Sequence, residues 1–168
     1  MKKSIYSIVL LCCLILPFCF LFSGCDLDNN STNTTTTYYL GETAKNSDGV
    51  EFVVTNVSDT QSISGRTTEN NYMIITIKIT NKSKEAWSQN PNNCILILNN
   101  AEYEYSSLTY LLDNGMSGFD EINPQLSKTF SIVFETPTKS TEDIYKVKLS
   151  GHSLWKDDSV IITLKEKQ

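Results

Sequence analysis

Histidine is almost missing from this chain: His152, in Gly151-His152-Ser153, is the single one among 168 residues. A nucleophilic triad would need it beside an activated serine and an orienting acid, and no Gly-x-Ser-x-Gly elbow is present. There is also no glycine-rich phosphate loop. The Asp-x-Asx-x-Asx-Gly spacing of a calcium loop is absent as well. Four prolines and seven glycines are too few for a disordered or collagen-like chain, and 40% apolar residues suit one folded domain with an appendage. No Lys/Arg cluster interrupts a formal charge of −5, which argues against nucleic acid and against a basic lipid-binding patch. These shortages leave a non-enzyme without cofactors as the expectation.

Cysteine is also scarce where it would matter. Of five cysteines, Cys12, Cys13 and Cys19 lie in an apolar run from Ile5 to Phe22, preceded by Lys2 and Lys3 and followed by Ser23, Gly24 and Cys25. That order is the n-region, h-region and small-residue cleavage site of an export signal. Leu21-Phe22-Ser23-Gly24-Cys25 resembles the lipobox of bacterial lipoproteins, with Phe22 where leucine is commoner, and it marks Cys25 as the lipidated residue. An uncleaved anchor is the alternative, and Pro17 with the small residues before Cys25 favours cleavage. The mature chain then keeps only Cys25 and Cys94. With Cys25 acylated, no disulfide framework can form, and one cysteine with one histidine builds no zinc site. Cys94 directly precedes Ile95-Leu96-Ile97-Leu98 and reads as a buried small hydrophobe.

Three segments follow from this: a signal peptide over 1–24, the lipidated Cys25 with a flexible polar linker over 25–37, and a folded domain over 38–168. The linker, rich in Asn and Thr, has too little apolar surface to order itself. As a coil it spans roughly 20 Å, and at most about 40 Å when taut, which keeps the domain near the outer face of the membrane.

From Tyr38 onward apolar residues recur with period two, broken by Asn, Gly, Asp, Ser or Pro, which is an all-β signature. The expected strands are Val50–Val57, Tyr72–Thr80 with Ile75, Ile77 and Ile79 on one face, and Cys94–Leu98 hairpinned through Asn99-Asn100 to Tyr103 and Tyr105. Three more cover Thr129–Glu135, Tyr145–Leu149 and Val160–Leu164. About seven strands without a convincing helix predict an antiparallel β-sandwich.

The long irregular stretch Ser106–Glu121 holds Tyr110, Leu111, Leu112, Met116 and Phe119. Loops of this length are often functional. Tyr110, Leu111, Met116 and Phe119 are therefore the candidate contacts for a partner or ligand; the competing reading is a plug, or a short helix, across one end of the sandwich. Asp113, Asn114 and Asp120 could offer calcium some oxygens, and Trp87, Trp155 and the tyrosines at 38, 39, 103, 105 and 110 could form an aromatic shelf. A solvated acidic loop and a sandwich core are the plainer readings of both.

Tyr39-Leu40-Gly41-Glu42-Thr43, Val50-Glu51-Phe52-Val53-Val54, Tyr72-Met73-Ile74-Ile75 with Asn81-Lys82-Ser83-Lys84, and Asn123-Pro124 with Phe134-Glu135-Thr136-Pro137 occur in order. This set resembles the lipoprotein-borne domain of unknown function 4352, widespread in Gram-positive bacteria. The resemblance implies an immunoglobulin-like sandwich akin to that of a secreted mycobacterial immunoprotective antigen, and no established reaction. Asn99-Asn100 stands where that family often has an Asp-Gly type turn, and Gln125 where it usually has Gly.

The expectation is a non-enzymatic surface lipoprotein held at the membrane through Cys25, acting on an unknown protein or envelope partner. The alternative is a ligand-binding lipoprotein, for a solute, peptide, glycan or calcium, using the 106–121 loop.

Overall fold

A computed structural model describes residues 36–151 and 158–167. Cys25, the expected signal peptide over 1–24 and His152 lie outside the described residues, as do Trp155 and Asp157. Eleven strands are described: β1 (Tyr38–Tyr39), β2 (Ala44–Lys45), β3 (Val50–Ile63), β4 (Arg66–Asn81), β5 (Trp87–Ser88), β6 (Cys94–Leu98), β7 (Ala101–Tyr103), β8 (Glu121–Ile122), β9 (Ser127–Thr136), β10 (Tyr145–Leu149) and β11 (Val160–Thr163). β3, β4, β6, β7, β9, β10 and β11 are the seven that the alternation predicts. The other four are two residues long, too short to show a period.

One sheet runs β1-β11-β10-β6-β7, the second β2-β3-β4-β9, and β5-β8 form a small third pair. Every ladder is antiparallel except β1 with β11, where Tyr38 lies opposite Ile162. The two main sheets enclose one core. Phe52, Ile75, Ile77 and Phe134 reach it from one side, and Leu96, Val147, Leu149 and Ile162 from the other. Each such side chain contributes about 1.5–3 kcal/mol by leaving water, so the core needs neither metal nor disulfide.

Turn chemistry sets the registers. Asn99 and Asn100 both take positive φ, 49° and 69°, closing the two-residue hairpin between β6 and β7. Ser64 and Gly65 do the same between β3 and β4. Asn123-Pro124-Gln125-Leu126 is a type II turn: the Leu126 amide donates to the Asn123 carbonyl at 3.1 Å, and Gln125 sits at φ 67°. Gln125 thus holds the left-handed position that glycine usually serves.

Asn81-Lys82-Ser83-Lys84 is more than a polar turn. Asn81 is fully buried; its Nδ2 donates to the carbonyls of Glu85 (2.7 Å) and Ile122 (2.8 Å), and its Oδ1 accepts from the Ser83 amide and hydroxyl. One amide therefore pins the end of β4 to the following turn and to β8.

Candidate contact surface

The stretch after Tyr105 does not hang off the sandwich as a loop. Ser106 caps a 3-10 turn, Ser107–Leu111, its hydroxyl accepting from the Leu108 amide. The chain then runs along the free edge of β9. The Ser106 amide donates to the Val133 carbonyl at 2.7 Å, and the Val133 amide donates to Thr109 Oγ1 at 3.0 Å. Further along, the Ser131 amide donates to the Asn114 carbonyl at 2.8 Å, and the Met116 amide to the Ser131 carbonyl at 3.1 Å. A free sheet edge invites pairing with other chains, and here the protein's own backbone occupies it.

This docking also covers the outer face of the sheet. Leu108 joins Ile63, Tyr72 and Val133 in a second, smaller core, with Ile74 and Leu112 packed against it. The short helix foreseen in the sequence is present, but it lies on the outer face of β4 and β9 rather than across an end.

The candidate contact residues separate accordingly. Met116 is corrected out of the surface: it is fully buried in the main core, its sulfur 4.0 Å from Cys94 Sγ, because the chain dives inward to pair with Ser131. Tyr110 and Leu111 remain about half exposed, and Phe119 is 93% exposed. Tyr110 is held by Tyr105, the hydroxyls 3.0 Å apart and the rings edge-to-face with centroids 6.0 Å apart. That hydroxyl contact raises the Tyr105 pKa. Phe119 sits in a braced tip: its amide donates to Ser117 Oγ, whose hydroxyl donates to Asp120 at 2.8 Å. Lys128 pairs with Asp120 on the other side, and these two contacts hold that carboxyl below its ordinary range.

Those contacts also bear on the calcium reading. Asp120 is committed to Lys128 and Ser117, and among the described residues no three Asp, Glu, His or Cys side chains gather as a metal site. Among the described residues, most of the aromatic side chains considered for a shelf belong to the core instead. Trp87 is buried, its Nε1 donating to Gln89 Oε1 at 3.3 Å, and Tyr38, Tyr103 and Tyr105 pack against the core. Cys94 is completely buried, which pushes its thiol up to about 12 and keeps it protonated.

A feature the sequence reading missed is an open groove of about 820 Å³, lined by Asp48, Lys82–Ser88 and Glu121. Its walls come from the Asn81-pinned turn and the β5-β8 pair, elements too short to show in a hydropathy pattern. Only Glu121 of the 106–121 stretch reaches it.

No curated protein matches the chain in sequence. Among solved structures, the yjhA protein of Bacillus subtilis has a TM-score of 0.60 at 16% identity, covering 76% of this chain and 99% of that one. The candidate lipoprotein ycdA of the same species also has a TM-score of 0.60 at 15% identity, over 74% of this chain but only 38% of that one. This chain therefore matches well under half the length of ycdA. The secreted protein MPT63 of Mycobacterium tuberculosis has a TM-score of 0.56 at 11% identity, covering 80% of this chain and 100% of that one. At these identities the likeness is one of fold, and it agrees with the sandwich built above. The profile described as "Domain of unknown function (DUF4352)" matches residues 38–160, the stretch that holds β1 to β10, the first residue of β11 and the docked segment, and the chain belongs to that family.

Proposed function

We propose that this protein is a non-enzymatic lipoprotein, cleaved after residue 24, anchored by lipid on Cys25 and tethered by residues 25–37. Its sandwich domain acts at the outer face of the cell membrane on a protein or envelope component. The observation that carries this reading is the pairing of exposed apolar side chains with a fixed backbone. Tyr110 and Leu111 stay exposed on a segment hydrogen-bonded along β9, and Phe119 on a tip braced by Ser117, Asp120 and Lys128. Rigid presentation of aromatic anchors lowers the entropy cost of binding. The fold shared with a candidate lipoprotein and with a secreted protein supports a location outside the cytoplasm.

Two experiments test it. Metabolic labelling with a fatty acid should mark the wild type and not Cys25→Ser; a wild type without label, or equal labelling of both, rejects the anchor. Photo-crosslinkers at Phe119 and Leu111 on intact cells should each trap a discrete protein or envelope species, and diffuse adducts alone reject the contact surface.

A second reading rests on the groove beside Trp87, where Lys82, Lys84, Glu85 and Glu121 offer charges of both signs to a small polar ligand. A thermal-shift series with amino acids, short peptides and glycans tests it. Saturation at 100 times the dissociation constant adds roughly 2.7 kcal/mol to native stability, so an unmoved midpoint throughout rejects it.

A further inference from the structure

The outward face of the β1-β11-β10-β6-β7 sheet carries charges that the fold leaves unanswered. Alternation sends Leu96, Leu98, Val147 and Leu149 into the core, and so turns Ile95 and Ile97 of β6 and Lys146 and Lys148 of β10 outward. Register then sets them in rows. Lys146 lies opposite Ile97, and Ile97 opposite Glu102. One row along, Lys148 lies opposite Ile95, and Glu104 adjoins Ile95 on the same surface. Ile95 and Ile97 remain partly exposed and belong to neither core cluster.

Across β10, β6 and β7 the face thus has three columns, lysine, isoleucine and glutamate, and beyond the lysines Ile161 of β11 lies opposite Lys148. Adjacent strands stand about 4.8 Å apart, which places the two charged columns roughly 10 Å from one another with the isoleucines between them. The ion pairs among the described residues are Lys128–Asp120, Lys139–Asp59 and Lys167–Glu42, and none uses these four side chains.

We propose that this face is a self-complementary docking surface for a second copy of the chain. A two-fold axis along the strands, between two stacked sheets, exchanges left and right while keeping the rows. It lays the isoleucine column on its counterpart. It also sets Lys146 against Glu102 of the second copy and Lys148 against Glu104 of the second copy, with the reciprocal pairs on the other side. A two-fold axis across the strands would stack lysine on lysine and glutamate on glutamate, so charge selects the first arrangement. The selected arrangement has the strands of both copies nearly aligned, as in ordinary face-to-face sheet packing, and closes as a symmetric dimer.

The test uses the full-length chain in density-matched detergent, by sedimentation velocity over a concentration series. The wild type should form a dimer. Lys146→Glu with Lys148→Glu makes the charged columns wholly acidic, and Glu102→Lys with Glu104→Lys makes them wholly basic. Each double variant alone should dissociate, its dimer constant weakened about 100-fold or more by like-charge contacts. Mixed together, the two should recover a dimer, which a misfolded variant could not do. A wild type that stays monomeric at every concentration overturns the proposal. So does a dimer that survives both double reversals, or a mixture that remains monomeric.

Discussion

Gly115 lies against Thr109 so closely that a Cβ on Gly115 would stand 1.9 Å from the Thr109 carbonyl oxygen and 3.2 Å from that of Leu112. No side chain fits there, and the same short stretch carries the Asn114 and Met116 contacts to Ser131. Gly115→Ala should therefore lift the segment from β9 and destabilise the domain by about 2–3 kcal/mol. Hydrogen exchange would show it as faster exchange of the Ser131 and Val133 amides, with β6 and β10 much less affected. In the same region, Thr109→Val removes the acceptor of the buried Val133 amide and should cost about 1–3 kcal/mol, whereas Thr109→Ser should retain most of the stability.

Asn81 offers a second site of high sensitivity. Its four hydrogen bonds are satisfied at once by one buried amide, and truncation leaves the Glu85 and Ile122 carbonyls without that donor. Asn81→Ala should cost about 2–4 kcal/mol in denaturant unfolding. The groove beside Trp87 should loosen with it, because both its walls are tied to this side chain.

Gln125 gives a prediction of the opposite sign. A non-glycine residue in the left-handed region costs about 1–2 kcal/mol, and glycine gives back about 0.4–1 kcal/mol through its freer unfolded chain. Gln125 is exposed, so Gln125→Gly should raise stability by roughly 0.5–1 kcal/mol on those terms. A lowered melting temperature would contradict the turn geometry.

Alkaline pH should unfold the domain through Cys94 and Tyr145, both pushed up to about 12 by burial, with Asp143 adding to the effect at Tyr145. In each case the folded state holds its proton more tightly than the unfolded chain. Stability is therefore full below the unfolded values, 9.0 for the thiol and 10.0 for the phenol, and falls as pH rises toward 12. Each group can contribute a slope of up to about 1.4 kcal/mol per pH unit in that window. Cys94→Ala should remove the part that begins near pH 9, as read by urea unfolding at a series of pH values. A thiol reagent should label Cys94 only when the protein unfolds.

Much of the sandwich was legible in the residues because strand alternation is a local code. Ile75, Ile77 and Ile79 face the core as their spacing predicts, Tyr145, Val147 and Leu149 do likewise, and Asn99-Asn100 turns where two residues tolerant of positive φ stand between apolar runs. The hairpin beyond Val57 was not legible, since β3 and β4 continue through polar residues to Ser64-Gly65 with little apolar period to read. Nor was the buried role of Asn81, whose partners at Glu85 and Ile122 come from different elements.

The sequence by itself determined the all-β class, the alternating inner faces and the buried state of Cys94, because these depend on neighbours along a strand. Only the tertiary structure decided that Ser131 and Val133 are buried as well, that Met116 leaves the surface while Phe119 stays on it, and that lysine and glutamate columns flank Ile95 and Ile97. Those outcomes depend on which distant segment lies on which sheet face, and strand pairing across the fold, not local periodicity, sets that.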